Sequence, residues 1–123
     1  MKISEAIALV DELKPNQYST AVKVKWLSTL DGIIFKEVYL THHGTLPDFE
    51  PYDGTDTTLE LLVPFPYDMD IYNSWLQSQI DRENGEIVRY NQTSALFNAA
   101  YDKFKYWFNR THIPKLGFFR FRF

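Results

Sequence analysis

One segment constrains the fold of this chain more than any other. From Ile87 to Phe108 the residues Ile87, Tyr90, Ser94, Phe97, Tyr101, Phe104 and Phe108 recur in steps of three and four. In a helix that turns once every 3.6 residues, such spacing lines the side chains along one side. A stripe of this kind, roughly six turns long, is stable only when other elements cover it. The remainder of the chain must supply that cover.

Three further segments carry helical spacing. Ile71, Tyr72, Trp75, Leu76, Gln79 and Ile80 predict a helix beginning at Tyr67 or Asp68, with Asp68 and Asp70 near the positive end of its dipole. Asn84-Gly85 then predicts a turn that folds the two segments into an antiparallel hairpin. Near the start, Ile3, Ala6, Ile7, Val10 and Leu13 form a stripe with Ser4 as its expected cap, ended by Lys14-Pro15-Asn16 because proline disfavours helical geometry in the residue before it. Ser19 or Thr20 caps the next segment, whose apolar face comprises Val22, Trp26, Leu27, Leu30, Ile33, Ile34 and Val38, with Phe35 as a further candidate. Gly32 weakens that helix without stopping it. The expected fold is all-α: a compact bundle of about four helices over residues 1–112, with the hairpin resting on the first two.

A chain of 123 residues and 14.6 kDa is expected to fold as one domain and to bury roughly two thirds of its unfolded surface. Hydrophobic residues at 45% and aromatics at 17% supply the core and argue against wholesale disorder. Cysteine is absent, which excludes disulfides and thiolate zinc sites. The opening residues lead into a short apolar stretch broken by Asp11 and Glu12, expected to be neither a signal peptide nor a membrane span.

Two segments break the helical pattern. Thr41 to Pro66 contains four prolines, His42-His43-Gly44 and Asp53-Gly54, so turns and irregular chain are expected. Within it, Thr58 to Val63 reads either as a short strand or as an extended packing segment. Beyond Thr111, Ile113-Pro114 and Leu116-Gly117 end the last helix, and Phe118 to Phe123 alternates Phe119, Phe121 and Phe123 with Arg120 and Arg122. In an extended strand the three phenylalanines share one face. Residues 113–123 are therefore expected to form a C-terminal docking arm, with Ile113, Leu116, Phe118, Phe119, Arg120, Phe121, Arg122 and Phe123 as its contact residues.

Charge is segregated along the chain. Asp48 to Asp70 holds seven acidic residues and no Lys or Arg, whereas Lys103 to the end holds six basic residues and no acid. Such an arrangement suits complementary faces on repeated subunits, with Asp53 and Asp56 the expected acidic contacts.

The residues offer little for catalysis. Adjacent His42 and His43, with His112 far away, lack the spacing of a metal-binding helix, and Asp31 near Glu37 or Asp68 near Asp70 are pairings too common to identify a reaction. Asp53-Gly54-Thr55-Asp56 lacks the lysine of a phosphate loop and the later ligands of a calcium loop. The expected function is non-enzymatic, without a cofactor. Lys23 and Lys25 and the basic tail offer possible phosphate contacts, but the acidic middle and a net charge of -3 oppose a broad DNA-binding surface.

Several short motifs run through the chain: Lys14-Pro15-Asn16 before Trp26-Leu27; Leu30-Asp31-Gly32 and Glu37-Val38; Glu60-Leu61-Leu62-Val63-Pro64 before Pro66-Tyr67-Asp68; Gln79-Ile80-Asp81 through Asn84-Gly85-Glu86; then Tyr90-Asn91 and Ala95 to Tyr101. Together they resemble the head-tail connector, or head-completion adaptor, proteins of tailed phages and prophages, over most of residues 3 to 112. The resemblance implies a helical subunit made in the host bacterial cytoplasm and assembled at the virion neck. Its implied partners are copies of itself in a ring, the portal protein, and downstream neck or tail-completion proteins. DNA would pass through without sequence-specific binding, and no membrane is involved. The alternative is a small prophage-encoded regulatory or nucleic-acid-interaction module.

Overall fold

A computed structural model describes residues 1–42 and 48–112. Four helices form an all-α bundle: α1 (Ile3–Leu13), α2 (Thr20–Ile34), α3 (Asp68–Glu83) and α4 (Ile87–Thr111), with α2 continuing into a wider π turn over Phe35–Tyr39. Among the described residues there is no strand; an antiparallel bridge joins Lys2 and Glu60.

Helix α1 spans the expected segment but is capped at Lys2, two residues before the expected Ser4. Ser4 lies within it, and the start is closed by the Lys2 N–H donating to Glu5 Oε1 at 2.9 Å. The helix ends at Leu13, just before Lys14-Pro15, and beyond it Asn16 Oδ1 accepts from Tyr18 N–H at 3.1 Å. Ser19 caps α2, its Oγ accepting from Val22 N–H at 3.3 Å. The helix passes through Gly32 and widens after Ile34, where Leu40 N–H reaches back five residues to Phe35 O. The extra residue in that turn brings Val38 and Tyr39 together into the core.

Helix α3 is the centre of the bundle, in contact with α1, α2 and α4. Ile71, Tyr72, Leu76 and Ile80 are wholly buried, and so nearly are Ser78 and Gln79 on its other sides. A helix covered on several sides needs its polar residues satisfied from within; Ser74 and Ser78 donate to the carbonyls of Asp70 and Trp75. Its end is a Schellman cap: Glu86 N–H bonds Asp81 O at 3.0 Å and Gly85 N–H bonds Arg82 O at 3.1 Å, with Gly85 at φ 74°. Nothing crowds the Gly85 Cα, so Gly85→Ala should cost only the left-handed backbone penalty, about 1 kcal/mol. Denaturant unfolding will read it as a shift in midpoint at unchanged slope.

The long stripe of α4 is buried from Thr93 through Phe97, Tyr101, Phe104 and Phe108. Its expected first member, Ile87, is instead 72% exposed. The reason is register across the turn: Ile80 is the last buried apolar residue of α3, so the first turn of α4 extends past the core. At its other end α4 outruns α3 and packs on the π turn, with Phe108 stacked on Tyr39 at 5.1 Å.

Candidate docking surfaces

The irregular segment between Asp48 and Tyr67 is held against the bundle chiefly by Asp31, which is completely buried on α2. Its Oδ1 accepts from Tyr72 OH at 2.6 Å, and its Oδ2 accepts from Tyr52 OH and from Leu62 N–H at 3.1 Å. Around this carboxylate Tyr39 OH donates to Leu62 O at 2.6 Å, and Val63 N–H donates to Tyr72 OH at 2.9 Å. Burial pushes the Asp31 carboxyl above its ordinary range even though the Tyr52, Tyr72 and Leu62 donors pull it down. Burial and the Asp31 charge in turn raise the Tyr39, Tyr52 and Tyr72 hydroxyls. Asp31 is not paired with Glu37, which accepts instead from Tyr101 OH at 3.0 Å.

Thr58 to Val63 is thus an extended packing segment, its polar groups shared among several partners. Leu61 N–H bonds Met1 O, while Leu59 O and Thr57 O accept from Ile3 and Ser4 N–H at 3.0 and 2.9 Å. Those two donors belong to the first turn of α1, which has no carbonyls of its own to offer them. Leu61 and Val63 fill the core beneath.

Asp53 and Asp56, the two acidic contacts expected from the sequence, are exposed at consecutive turns. Asp53 Oδ1 accepts from Thr55 Oγ1, Thr55 N–H and Asp56 N–H at 2.7, 2.9 and 3.2 Å; Asp56 Oδ1 accepts from Thr58 Oγ1 and N–H at 2.6 and 3.0 Å. The threonine hydroxyls and these N–H groups hold both carboxyls below the ordinary range. The turns therefore shape the loop and keep it anionic, and the Oδ2 of each aspartate has no partner among the described residues. Phe65, 86% exposed, and Met69 lie on the same stretch of chain.

At the far end of α4, His42 is buried, a histidine built into the bundle where an irregular loop was expected. Its Nδ1 faces Val38 O and its Nε2 faces Asn109 Oδ1, both at 2.6 Å. His112 stacks on the opposite partner, Phe108, at 4.0 Å. His43 and the whole expected arm, Ile113, Leu116, Phe118, Phe119, Arg120, Phe121, Arg122 and Phe123, lie outside the described residues.

Lys23, a candidate phosphate contact, is buried and bonded to Asp11 at 2.5 Å. Asp81, wholly buried on α3, is paired with Lys14 and accepts from Thr93 Oγ1 at 3.1 Å. A polar groove of about 370 Å³ lies beside that pair, bordered by Lys14, Gln77, Asn84, Glu86 and Arg89; both of its cations are already matched, Arg89 by Glu86 at 3.3 Å. Among the described residues no three His, Asp or Glu side chains form a metal-ligand cluster, and no helix is long and apolar enough to cross a membrane.

The Asp31 anchor and the Lys14–Asp81 pair escape a reading of the sequence because each joins residues far apart in the chain. The only local signal is an acid placed within an otherwise apolar helical stripe. Comparison of the chain with family models, with curated proteins and with solved structures gave no match.

Proposed function

We propose that this chain is a structural adaptor of a tailed-phage neck, a subunit that assembles with copies of itself in a ring on the portal and extends the DNA channel. The observation that carries this reading is where the connector-like motifs fall. Lys14 pairs with Asp81, Trp26 O accepts from Trp75 Nε1 at 2.9 Å, and Asp31 anchors the irregular segment. Glu37 holds Tyr101, Leu61 and Val63 enter the core, and Asn84 Oδ1 accepts from Tyr18 OH at 2.6 Å. Several residues that carry the resemblance are thus joints of the fold, which supports reading those motifs as architectural.

A rigid helical subunit with an acidic surface segment suits a heterologous ring contact, in which one surface meets a different surface of the neighbour. DNA passing such a channel need not be bound tightly, since strong phosphate contacts would retain it. Burial of Lys23 removes one cation from the alternative, a nucleic-acid-interaction module.

The test mixes the purified chain with a portal ring, follows size in solution and images the product. Closed rings seated on the portal support the adaptor reading. A persistent monomer that ignores the portal and binds short duplex DNA in a sequence-dependent way would reverse it. Deleting residues 113–123 adds a separate expectation: thermal unfolding of the helical domain is preserved, because the described residues from Ile3 to Phe108 already supply a buried core, while incorporation into the neck is lost. Loss of cooperative unfolding would place the tail in the core, and unchanged incorporation would remove its docking role.

A further inference from the structure

The side of α4 turned away from its buried stripe has a composition of its own. Leu96, Ala99, Lys103, Tyr106 and Arg110 follow steps of three and four, and all five are exposed, Leu96 by 64% and Tyr106 by 65%. Val88, 71% exposed, extends the same line toward the start of the helix. The stripe therefore mixes large apolar side chains with cations and, along its centre, holds no acid. Among the described residues neither Lys103 nor Arg110 has a carboxylate within ion-pair distance; Arg89 and Lys105, nearer the margins, are matched by Glu86 and Asp102.

The opposite composition occurs on the irregular segment and the first turn of α3. Asp48, Glu50, Asp53, Asp56 and Asp70 are exposed and have no cation partner among the described residues, and exposed Leu59, Phe65 and Met69 are interleaved with them. Among the described residues no ion pair joins the two sets within one molecule. We infer that they meet between molecules: the outer stripe of α4 receives the acidic, apolar-flecked segment of a second copy of this chain.

Charge complementarity selects this occupant over two others. The chain's own residues 113–123 carry Lys115, Arg120 and Arg122 and would set cation against cation. Nucleic acid would satisfy Lys103 and Arg110 but leaves Leu96 and Val88 facing phosphate. A copy of the acidic segment offers carboxylates for the cations and apolar side chains for the leucine and tyrosine. The face is roughly 33 Å long and one helix wide, which falls short of the roughly 800 Å² per partner of a stable complex. The contact is consequently of the weak, transient class, reversible in solution.

Sedimentation of the full chain tests this directly. Average mass should rise with concentration from about 10 µM to about 1 mM at low salt, and the rise should shrink when salt shortens electrostatic reach to about 3 Å near 1 M. K103E/R110E and, separately, D53K/D56K should each weaken association by about tenfold or more, while an equimolar mixture of the two variants recovers it. Helical circular dichroism of each variant establishes that the surface changes leave the fold intact, and Leu96→Asp probes the same face without removing a cation. A wild-type chain that stays monomeric throughout overturns the inference, as does a mixture that fails to recover association. Binding of a short DNA duplex that is lost in K103E/R110E, with the wild type still monomeric, would reassign the stripe to phosphate. No portal enters this experiment, so its failure is distinguishable from failure of the adaptor reading.

Discussion

An Asp31→Leu variant is expected to lose about 4 kcal/mol of stability, because the leucine keeps the branching at Cγ but is larger, accepts no hydrogen bond and strands the donors of the carboxylate. Tyr72 is wholly buried and its hydroxyl loses its acceptor without gaining water, and the Leu62 N–H has no other partner among the described residues. Tyr52 is only partly buried and recovers some hydration. Adding Tyr72→Phe to Asp31→Leu should not return the loss, since the hydroxyl it removes also accepts from Val63 N–H, which is stranded in turn. Hydrogen exchange at the Leu62 amide gives a local reading: the irregular segment should open more readily than α3. A loss below about 1 kcal/mol, within the range of ordinary surface changes, would mean that Asp31 does not anchor the segment.

The same carboxyl carries a pH dependence whose sign follows from its environment. Burial raises the folded-state value of Asp31 above the ordinary 3.8, so the folded protein holds this proton more tightly than the unfolded chain. Its contribution to stability is full below the ordinary value and is lost as pH rises through the raised one. Asp53 and Asp56 act in the opposite sense, since their lowered values contribute stability that is lost as pH falls through them. Asp31→Asn abolishes only the first effect. Relative to that variant, wild-type stability should decline as pH climbs from about 4 toward neutrality; a flat difference would contradict the buried, proton-retaining carboxyl.

How much of this was legible in the sequence depends on the range of the interaction. The four helices and the turn at Asn84-Gly85 are local: side-chain periodicity, a serine cap and a glycine able to take positive φ determine them within a few residues of chain. Ile87 shows where periodicity stops being informative, since it continues the stripe of α4 but lies beyond the last buried residue of α3. Length matching between two helices is not encoded in either one. The polar joints are more distant still. Asp31 looks like an interruption of an apolar face until Tyr52 and Tyr72 arrive from 21 and 41 residues away, and Lys23 looks like a free cation until Asp11 meets it. The outer side of α4 is written in the same local code: Leu96, Ala99, Lys103, Tyr106 and Arg110 have the same three-and-four spacing as the core residues they oppose.

Phe104→Ala should be the most damaging single truncation on α4, at about 4 kcal/mol. The ring is fully buried where α4, the π turn and the start of α3 converge: its centroid lies 6.5 Å from Tyr39, 6.1 Å from Tyr67 and 5.8 Å from Phe108. Backbone held in helices on both sides cannot collapse into the space left, so the cavity remains and the lost aromatic contacts are not replaced. Phe97 is the internal control. It packs on Trp75 at 5.2 Å and Tyr101 at 5.6 Å but retains 9% exposure, so water and side-chain motion can relieve part of its loss and Phe97→Ala should cost about 3 kcal/mol. For a domain whose total stability is roughly 5–15 kcal/mol, the Phe104 loss is large enough to move the urea midpoint far down at unchanged slope. Equal and small losses at the two positions would mean that the second half of α4 is not packed against the π turn. A large loss at Phe97 with little at Phe104 would place the hairpin in a different register.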